Sequence, residues 1–257
     1  MDAEAFVRKS VEAINSKIPV GGKAVIACSG GVDSMVTAVL ASKAIGDRLL
    51  AVYVDSGLMR KGETEEVEGM LKRTGINYRI ARAAAAMVRP GDTIGLNGGT
   101  TATEVAREVA LLPDLTDPET PVTIVTNAVN IASELTVRQC VRVVVTGGAA
   151  RARSYELTGP LSSLILPQIS IGTLFLGVEG VNGHGLYASH EGEAAVNAAL
   201  VRAAHRVVVV ADYTKLGEAA FALICRTSEI DELITDEAAE PESVEALRAA
   251  GVKVHLV

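Results

Sequence analysis

The sequence predicts an α/β fold built from parallel-sheet, Rossmann-like units, and three observations support it. Short apolar segments that read as strands alternate with longer segments of helical periodicity along most of the chain. Turns rich in glycine, serine, asparagine or aspartate follow many of these strands. Hydrophobic residues make up 49% of the 257 residues and aromatic residues only 3%, so we expect a core of Ala, Val, Leu and Ile.

The first third of the chain is predicted to hold a helix followed by a β-α-β-α unit. Apolar residues recur at helical spacing over residues 3–17. Residues 23–28 and 49–54 are predicted strands, and residues 34–44 and 65–73 are predicted helices. Parallel, doubly wound sheets begin with this order of elements.

The alternation starts again after residue 78, so we assign residues 1–78 and 79–257 to two domains. The predicted helices of the second domain are residues 79–88, two helices ending at Leu111 and Leu135, and residues 191–204. Its predicted strands are residues 93–96, 122–126, 141–146, 173–178, 207–211 and 252–257. A glycine-rich loop running to Ser189 is predicted after the fourth strand. No linker separates the two domains, which leaves a gene rearrangement or an artificial join open as the origin of the chain.

Composition and charge argue against several classes of protein. The formal net charge is −7 and neither domain is basic, so we expect no DNA binding by this chain alone. The three cysteines are scattered without a Cys-x-x-Cys pair, which is typical of reduced thiols in the cytoplasm. We find no apolar run of membrane-spanning length and no secretory signal pattern, so we expect a cytoplasmic protein without membrane contact.

The most informative motif is the run Ser29-Gly30-Gly31-Val32-Asp33-Ser34, which lies between a predicted strand and a predicted helix. Glycines let the backbone approach a ligand closely, and free N–H groups at the start of a helix bind anions. The serine hydroxyls add donors, and a carboxylate at Asp33 beside a phosphate indicates a divalent cation such as Mg²⁺. The motif therefore predicts a phosphate site.

The residues around this motif resemble the ATP pyrophosphatase (PP-loop) subunit of archaeal GMP synthetase. The resemblance is carried by the glycine motif together with Gly22-Lys23-Ala24-Val25-Ile26, Ala44-Ile45-Gly46-Asp47-Arg48-Leu49 and Tyr53-Val54-Asp55-Ser56-Gly57-Leu58-Met59-Arg60-Lys61-Gly62-Glu63. It implies that ATP, with Mg²⁺, is bound by Ser29, Gly30, Gly31, Val32, Asp33, Ser34 and Asp55. In that family an adenylyl intermediate forms at the α-phosphate and is resolved by ammonia.

The resemblance ends near residue 78, before the further strands, the basic residues for xanthosine monophosphate and the dimerisation domain that the family needs. Three interpretations of the first domain stay open. It is a segment that binds ATP without catalysis, an ATP pyrophosphatase that adenylylates and aminates xanthosine monophosphate, or a glycine turn kept for packing alone.

Polar or glycine-rich residues follow the predicted strands of the second domain. They are Asn97-Gly98-Gly99-Thr100-Thr101, Asn127, Gly147-Gly148, Glu179, and Asp212 with Lys215. Ligands bind at the carboxyl ends of the strands in parallel α/β sheets. The N–H groups and hydroxyls of the first cluster suit a phosphate, so a phosphorylated ligand is predicted here.

These residues and their neighbours resemble the C-terminal sensor domain of DeoR/GlpR-type transcriptional regulators. Besides the cluster at residues 97–101, the motifs are Arg79-Ile80-Ala81-Arg82-Ala83-Ala84-Ala85, Gly91-Asp92-Thr93-Ile94, Thr126-Asn127-Ala128, Thr146-Gly147-Gly148, Gly159-Pro160, Gly177-Val178-Glu179-Gly180 and Ala211-Asp212-Tyr213-Thr214-Lys215-Leu216-Gly217. The resemblance implies an isomerase-like fold and a phosphorylated sugar as effector, with no cofactor required by this domain. It implies that the sugar phosphate is bound by Asn97, Gly98, Gly99, Thr100, Thr101, Asn127, Gly147, Gly148, Glu179, Asp212 and Lys215. We also expect a homo-oligomer.

Structural roles compete with ligand binding at several of these positions. Thr101 and Glu104 have the spacing of a capping box. Asn127 is placed to cap the helix that follows it, and Lys215 with Asp212 fits a solvated ion pair. Each of these roles would exist without a ligand.

Three further features bear on the site. Glu179 stands where the sensor family commonly has aspartate, which leaves its role open. Arg153 and Tyr155 lie in a loop that is placed to cover a ligand. His184 and His190 are six residues apart and have no further ligands at matched spacing, so we expect no metal site there.

Two classes of function follow. The first is a sugar-phosphate-binding regulatory protein in which the PP-loop segment stands where such regulators carry a winged helix–turn–helix. The second is an enzyme, either the ATP pyrophosphatase or a sugar-phosphate isomerase with Glu179 or Asp212 as base. The sensor resemblance covers a whole domain and the pyrophosphatase resemblance only part of one, so we favour the first class.

Overall fold

The computed structural model describes residues 3–18, 24–28, 32–45, 49–53, 77–112, 115, 119–138 and 140–257. It divides the chain into two compact units, Met1–Ile76 and Asn77–Val257. Parallel strands alternate with helices in both units, which confirms the predicted fold class. Among the described helices, none is long and apolar enough to cross a membrane.

The described part of the N-terminal unit matches the predicted order of elements. It contains α1 (Ala3–Lys17), β1 (Ala24–Cys28), α2 (Val32–Ile45) and β2 (Leu49–Tyr53). The two strands pair in parallel, as expected for a β-α-β connection. The helix predicted over residues 65–73 lies outside the described residues.

The C-terminal unit contains six described helices and twelve described strands. The helices are α3 (77–85), α4 (Thr100–Leu111), α5 (Val129–Leu135), α6 (Pro160–Ser163), α7 (Glu191–Ala203) and α8 (Pro241–Ala249). The strands are β3 (Thr93–Leu96), β4 (Val122–Thr126), β5 (Val141–Val145), β6 (Ala149–Ala150), β7 (Leu157–Thr158), β8 (Ile171–Leu176), β9 (Gly180–Val181), β10 (Gly185–Ala188), β11 (Ala204–Val210), β12 (Ala222–Arg226), β13 (Glu232–Thr235) and β14 (Lys253–Leu256).

Seven of these strands form one parallel sheet in the order β14-β13-β11-β8-β3-β4-β5. From β3 the chain adds β4 and β5 on one side, and from β8 it adds β11, β13 and β14 on the other. The strand order therefore changes direction between β3 and β8. In open α/β sheets, this switch point leaves a crevice at the carboxyl ends of the strands.

The core lies on the two central strands of the sheet. Leu174, Phe175 and Leu176 of β8 are fully buried, and residues 207–210 of β11 are at most 3% exposed. Because both faces of such a sheet are covered, its strands are apolar at consecutive positions instead of alternating. Because the strands are buried, the positions of their ends are fixed, and so are the positions of the polar residues that follow them.

The predicted strands of the second domain correspond to β3, β4, β5, β8, β11 and β14, which confirms their positions. The sequence missed β12, β13 and α8, and the predicted glycine-rich loop contains β9 and β10. Strands β10, β12 and β9 form a separate antiparallel sheet, and β6 pairs with β7. Strands β6, β7 and β9 have two residues each, too few for a periodic pattern.

Candidate functional site

A cavity lies at the carboxyl ends of β3, β8 and β11, beside the switch point of the sheet. Its lining comes from the segments that follow these strands, from the loop between β6 and β7, and from α7 with the end of β10. The lining residues are Asn97–Ala102, Ser154, Glu156, Gly177–Glu179, Ala188, Glu193, Asn197, Val210–Asp212 and Lys215. Eight of the eleven predicted sugar-phosphate residues are among them, and their contact with a ligand stays a prediction.

The turn between β3 and α4 presents backbone to this cavity. Gly99 precedes α4 with φ 110° and ψ 162°, a conformation that residues with a side chain rarely adopt. No side chain caps α4, and the first N–H groups of a helix have no partner within the helix. Such a helix start favours an anion.

The capping box considered for Thr101 and Glu104 is not formed. The helix begins at Thr100, so Thr101 lies inside the first turn instead of before it. The hydroxyl of Thr101 donates to Oδ1 of Asn77 in α3 at 2.9 Å. This hydrogen bond ties the turn to the beginning of the C-terminal unit.

The ends of β3 and β8 are joined by a reciprocal pair of hydrogen bonds. Nδ2 of Asn97 donates to the carbonyl oxygen of Gly177 at 2.9 Å, and the N–H of Gly177 donates to Oδ1 of Asn97 at 2.8 Å. Asn97, one of the predicted residues, is 2% exposed. Its side-chain amide makes both of these bonds and so holds the ends of β3 and β8 together. Its role in the structure is to fix the floor of the cavity.

The sequence did not predict Glu156, a buried carboxyl group in the lining of the cavity. It is 4% exposed and lies next to the turn, because Oε1 accepts from the N–H of Gly98 at 2.8 Å. Nδ2 of Asn127 donates to Oε2 of Glu156 at 3.3 Å. Asn127 therefore acts on the site through Glu156 and does not itself line the cavity.

Burial raises the pKa of Glu156 from 4.5 to about 7, and the negative charge of Glu193 adds to this shift. The hydrogen bonds from Gly98 and Asn127 and the positive charge of Arg151 oppose it. The carboxyl group therefore exchanges its proton near neutral pH, unlike an ordinary surface glutamate.

Glu193 extends from α7 into the same cavity and was also missed by the sequence analysis. The hydroxyl of Ser154 donates to Oε1 of Glu193 at 2.5 Å, and an Nη atom of Arg151 lies 3.4 Å from that oxygen. Asn197, one turn further along α7, is 2% exposed, and its Oδ1 has no hydrogen-bond partner within the described structure. A donor on a ligand would satisfy this buried acceptor.

Lys215 pairs with Glu179 instead of Asp212, so the ion pair considered from the sequence is not formed. Nζ of Lys215 donates to Oε2 of Glu179 at 2.8 Å, and both side chains are partly exposed. Asp212 is 5% exposed, and its Oδ1 accepts from the N–H of Thr214 at 2.9 Å and from the hydroxyl of that residue. Asp212 thus caps the short 3₁₀ turn Tyr213–Lys215 that carries the lysine.

Three predicted residues lie outside the lining of the cavity: Asn127, Gly147 and Gly148. The capping role considered for Asn127 is not observed, because the N-cap position of α5 is Ala128 and no side chain caps the helix. Gly148 has φ 125°, and a Cβ atom there would overlap the Ser162 hydroxyl and come within 2.6 Å of a carbonyl oxygen. Packing therefore explains the glycine at 148.

The predicted ATP-binding residues Ser29, Gly30, Gly31 and Asp55 lie outside the described residues. The backbone of Val32, Asp33 and Ser34 forms the first turn of α2, in accord with a motif placed between a strand and a helix. Their side chains lie outside the description, so binding of ATP and Mg²⁺ stays a prediction.

The remaining sequence features have simple local roles. Arg153 and Tyr155 are exposed and flank Ser154, the residue of this loop that lines the cavity beside Glu156. Nδ1 of His190 accepts from the N–H of Gly192 at 3.0 Å and caps α7. Within the described part of the chain, no group of three His, Cys, Asp or Glu side chains is arranged to hold a metal ion.

The missed cavity residues share one property: each comes from an element that is distant in sequence from the glycine turn. Glu156 lies 58 residues after Gly98, and no sequence motif connects these two residues. The available signal was its position in a loop followed by Gly159-Pro160, one of the motifs that resemble the sensor family.

Comparison with known proteins assigns the second domain to a family. The model of the DeoR C-terminal sensor domain matches residues 76–237, which is more than half of the chain. The chain belongs to the DeoR C-terminal sensor domain family. A curated relative, the "Putative aga operon transcriptional repressor" of Escherichia coli O157:H7, is 34% identical over 185 residues. That alignment covers 72% of this chain and 66% of the relative, so the chain spans slightly less than two thirds of that protein.

The segment before the DeoR sensor domain matches a different kind of protein. The NAD synthase family model matches residues 1–107, so it overlaps the sensor-domain match over residues 76–107. One of the subunits of the glutamine-hydrolysing GMP synthase of Methanococcus vannielii is 55% identical over 83 residues, which are 32% of this chain and 26% of that protein. The chain thus combines a DeoR sensor domain with a GMP synthase-like N-terminal segment, as the sequence predicted.

Solved structures resemble this DeoR-family chain only distantly. Ribose 5-phosphate isomerase A from Methanocaldococcus jannaschii aligns with a TM-score of 0.39 and 19% identity, over 54% of this chain and 52% of that chain.

Proposed function

We propose that the DeoR sensor domain binds a phosphorylated sugar and that the phosphate lies on the turn between β3 and α4. The observation that carries this proposal is the uncapped start of α4 after Gly99, which opens into a cavity at the switch point of the sheet. Gly99 and Thr100 would offer N–H groups, and Thr100 would add its hydroxyl.

The rest of the cavity suits the hydroxyl groups of a sugar. Asn197 has an unpartnered buried amide oxygen, and Asp212 and Glu179 carry carboxylates on the lining. Sugar hydroxyls both donate and accept, so they can bond to these acceptors and to the ammonium group of Lys215.

We further propose that the N-terminal segment binds ATP through the motif at residues 29–34 and Asp55. The support is the match to the NAD synthase model and to GMP synthase subunits, together with the strand–helix order of β1 and α2 around the motif. Asp33 and Asp55 are carboxylates of the type that hold Mg²⁺. The whole chain would be a homo-oligomeric regulatory protein that senses a sugar phosphate and carries a nucleotide-binding segment.

The test is the thermal unfolding of the full chain with pentose and hexose phosphates, the matching free sugars, and ATP with Mg²⁺. A ligand that binds the native state raises the Tm. We expect a shift with a phosphorylated sugar that the free sugar does not give. The double variant Thr100→Ala with Lys215→Ala should lose it, whereas Arg248→Ala, an exposed residue of α8 outside the cavity, should retain it. Equal shifts in all three proteins would contradict the proposed site.

Gly31→Val separates the two proposed sites, because a side chain at residue 31 would keep the backbone of the motif away from a phosphate. The shift with ATP and Mg²⁺ should disappear in this variant, and the shift with the sugar phosphate should stay. An unchanged ATP shift would contradict the nucleotide proposal alone.

A second candidate function is a sugar-phosphate isomerase, and Glu156 is the observation that favours it. A buried carboxyl with a pKa of about 7 is suited to move a proton between adjacent carbons of an aldose phosphate and a ketose phosphate. Glu156 would then replace Glu179 and Asp212 as the base. The test is interconversion of ribose 5-phosphate and ribulose 5-phosphate by the parent and by Glu156→Gln. Equal, measurable rates in both would exclude Glu156 as the base, and no interconversion by the parent would exclude this function.

A further inference from the structure

One N–H group of the proposed phosphate turn is already engaged. The N–H of Gly98 donates to Oε1 of Glu156, and a Cβ atom built on Gly98 would overlap the side chain of that glutamate. The carboxyl group of Glu156 therefore lies against the turn. A phosphate bound at Gly99 and Thr100 would be its immediate neighbour.

The surroundings of Glu156 favour its neutral form. From α7, Glu193 faces it with a second carboxylate. The positive charge of Arg151 is shared, because the guanidinium lies 3.4 Å from Oε1 of Glu193. Asn127, which follows β4, contributes a neutral donor and no charge.

The other charged groups of the cavity do not make the ionised form of Glu156 more favourable. In the free protein Lys215 pairs with Glu179 at 2.8 Å, and Asp212 adds a further carboxylate to the lining. An ionised Glu156, which is itself buried, would therefore repel a phosphate at the turn. A protonated Glu156 would not repel it, and it would have a hydroxyl to donate.

We propose that Glu156 takes up one proton when a phosphorylated ligand binds, and that its neutral carboxyl then donates a hydrogen bond to a phosphate oxygen while it still accepts from Gly98. This inference rests on the proposed phosphate site. It makes Glu156 the residue that sets the affinity for the ligand as a function of pH.

The direction of the pH dependence follows from the charges. The pKa of Glu156 is raised to about 7 in the free protein, and a bound phosphate dianion would raise it further. Between these two pKa values, binding must draw a proton from solution, so the affinity falls as the pH rises. Below the lower value the group is already protonated, and Glu156 adds no pH dependence.

The test is the Kd of inorganic phosphate for the full chain between about pH 8 and 9, where most of the probe is a dianion. Calorimetric titration in two buffers with different heats of ionisation also counts the protons taken up. For the parent we expect uptake of close to one proton per phosphate and a Kd that rises up to about tenfold per pH unit. Glu156→Gln should show no uptake and a Kd that no longer rises.

Two further variants complete the experiment. Glu193→Gln removes the neighbouring charge, so the rise in Kd should begin at lower pH, and this variant also tests the inference if Glu156→Gln does not fold. Glu191→Gln, at an exposed position of α7 outside the cavity, should behave like the parent. A parent that binds phosphate with no proton uptake, or with the same pH dependence as Glu156→Gln, overturns this inference and leaves the phosphate site standing. Absence of phosphate binding by every variant between about pH 6 and 9 overturns both.

Discussion

The hydroxyl of Thr101 donates to Oδ1 of Asn77 at 2.9 Å, and both side chains are buried. The bond joins the first turn of α4 to α3, so the turn proposed to hold the phosphate is anchored where the C-terminal unit begins. Thr101→Val keeps the shape of the side chain and leaves the amide oxygen of Asn77 without a partner. We expect the free energy of unfolding to fall by about 1–3 kcal/mol.

The measurement is urea denaturation followed by circular dichroism, because the chain has no tryptophan. Thr123→Val is the matched control, since Thr123 is half-buried in β4 and Val fits a strand at least as well. The control should change the free energy by less than about 0.5 kcal/mol. Equal effects of the two substitutions would show that the bond to Asn77 contributes nothing specific.

The sheet and the floor of the site could be predicted from the sequence because they depend on short-range patterns. Apolar strands followed by polar turns predicted β3, β8 and β11, and parallel strands bring such turns to one edge. Asn97, Gly99 and Asp212, which line the cavity, were predicted in this way. The same patterns did not show what each side chain contacts, since Asn97 holds two strands together and Asp212 caps a turn.

The wall of the site could not be predicted because tertiary packing alone brings it there. Glu156 follows no apolar periodicity and reaches Gly98 only because the loop between β6 and β7 packs beside the start of α5, where the N–H of Leu157 donates to the carbonyl oxygen of Asn127 at 2.7 Å. Its raised pKa depends on that burial and on Glu193, 37 residues later in the chain.

The buried carboxyl of Glu156 should make the stability of the free protein depend on pH. Below about pH 4.5 the group is neutral in the native and unfolded states. Between pH 4.5 and about 7 the unfolded chain releases a proton that the native state retains, so stability falls as the pH rises, and the loss is complete above that range. The difference between the two pKa values corresponds to roughly 3 kcal/mol.

Glu156→Gln should remove this loss. Its free energy of unfolding relative to the parent should therefore increase by up to about 3 kcal/mol between pH 4.5 and pH 8. Oδ1 of Asn127 has no partner in the parent, so a rotated Asn127 amide can accept from the new side-chain amide. Urea denaturation at both pH values is the measurement, with Glu191→Gln as the control. A difference that does not change with pH would mean that the carboxyl has the same pKa in the native and unfolded states.

Gly148 should prove to be a packing residue and not a ligand contact. Its φ of 125° disfavours any side chain, and a Cβ atom would overlap the hydroxyl of Ser162. Gly148→Ala should therefore cost at least about 3 kcal/mol, from backbone strain and overpacking together. Gly91→Ala separates these effects, because Gly91 has φ 79° but no atom within 4 Å of the added Cβ. We expect a cost of about 1 kcal/mol there, measured by urea denaturation, and a comparable cost at Gly148 would contradict the overlap.

Lys215 and Glu179 should differ in their effect on ligand binding although they form one ion pair. Their side chains are 31% and 53% exposed, and such pairs stabilise a protein by about 0–1 kcal/mol, so Lys215→Ala and Glu179→Gln should both unfold nearly like the parent. Among the described lining residues Lys215 carries the positive charge, so Lys215→Ala should weaken binding of a sugar phosphate by about tenfold or more.

Glu179→Gln releases the lysine from its partner, so the affinity for the same ligand should stay or increase. Calorimetric titration of the three proteins at one pH and ionic strength distinguishes the two roles. If both substitutions weaken binding equally, the ion pair holds the 3₁₀ turn in place and the free ammonium group does not contact the phosphate or the sugar. If only Lys215→Ala weakens binding, the ion pair with Glu179 exists in the free protein and the ligand breaks it.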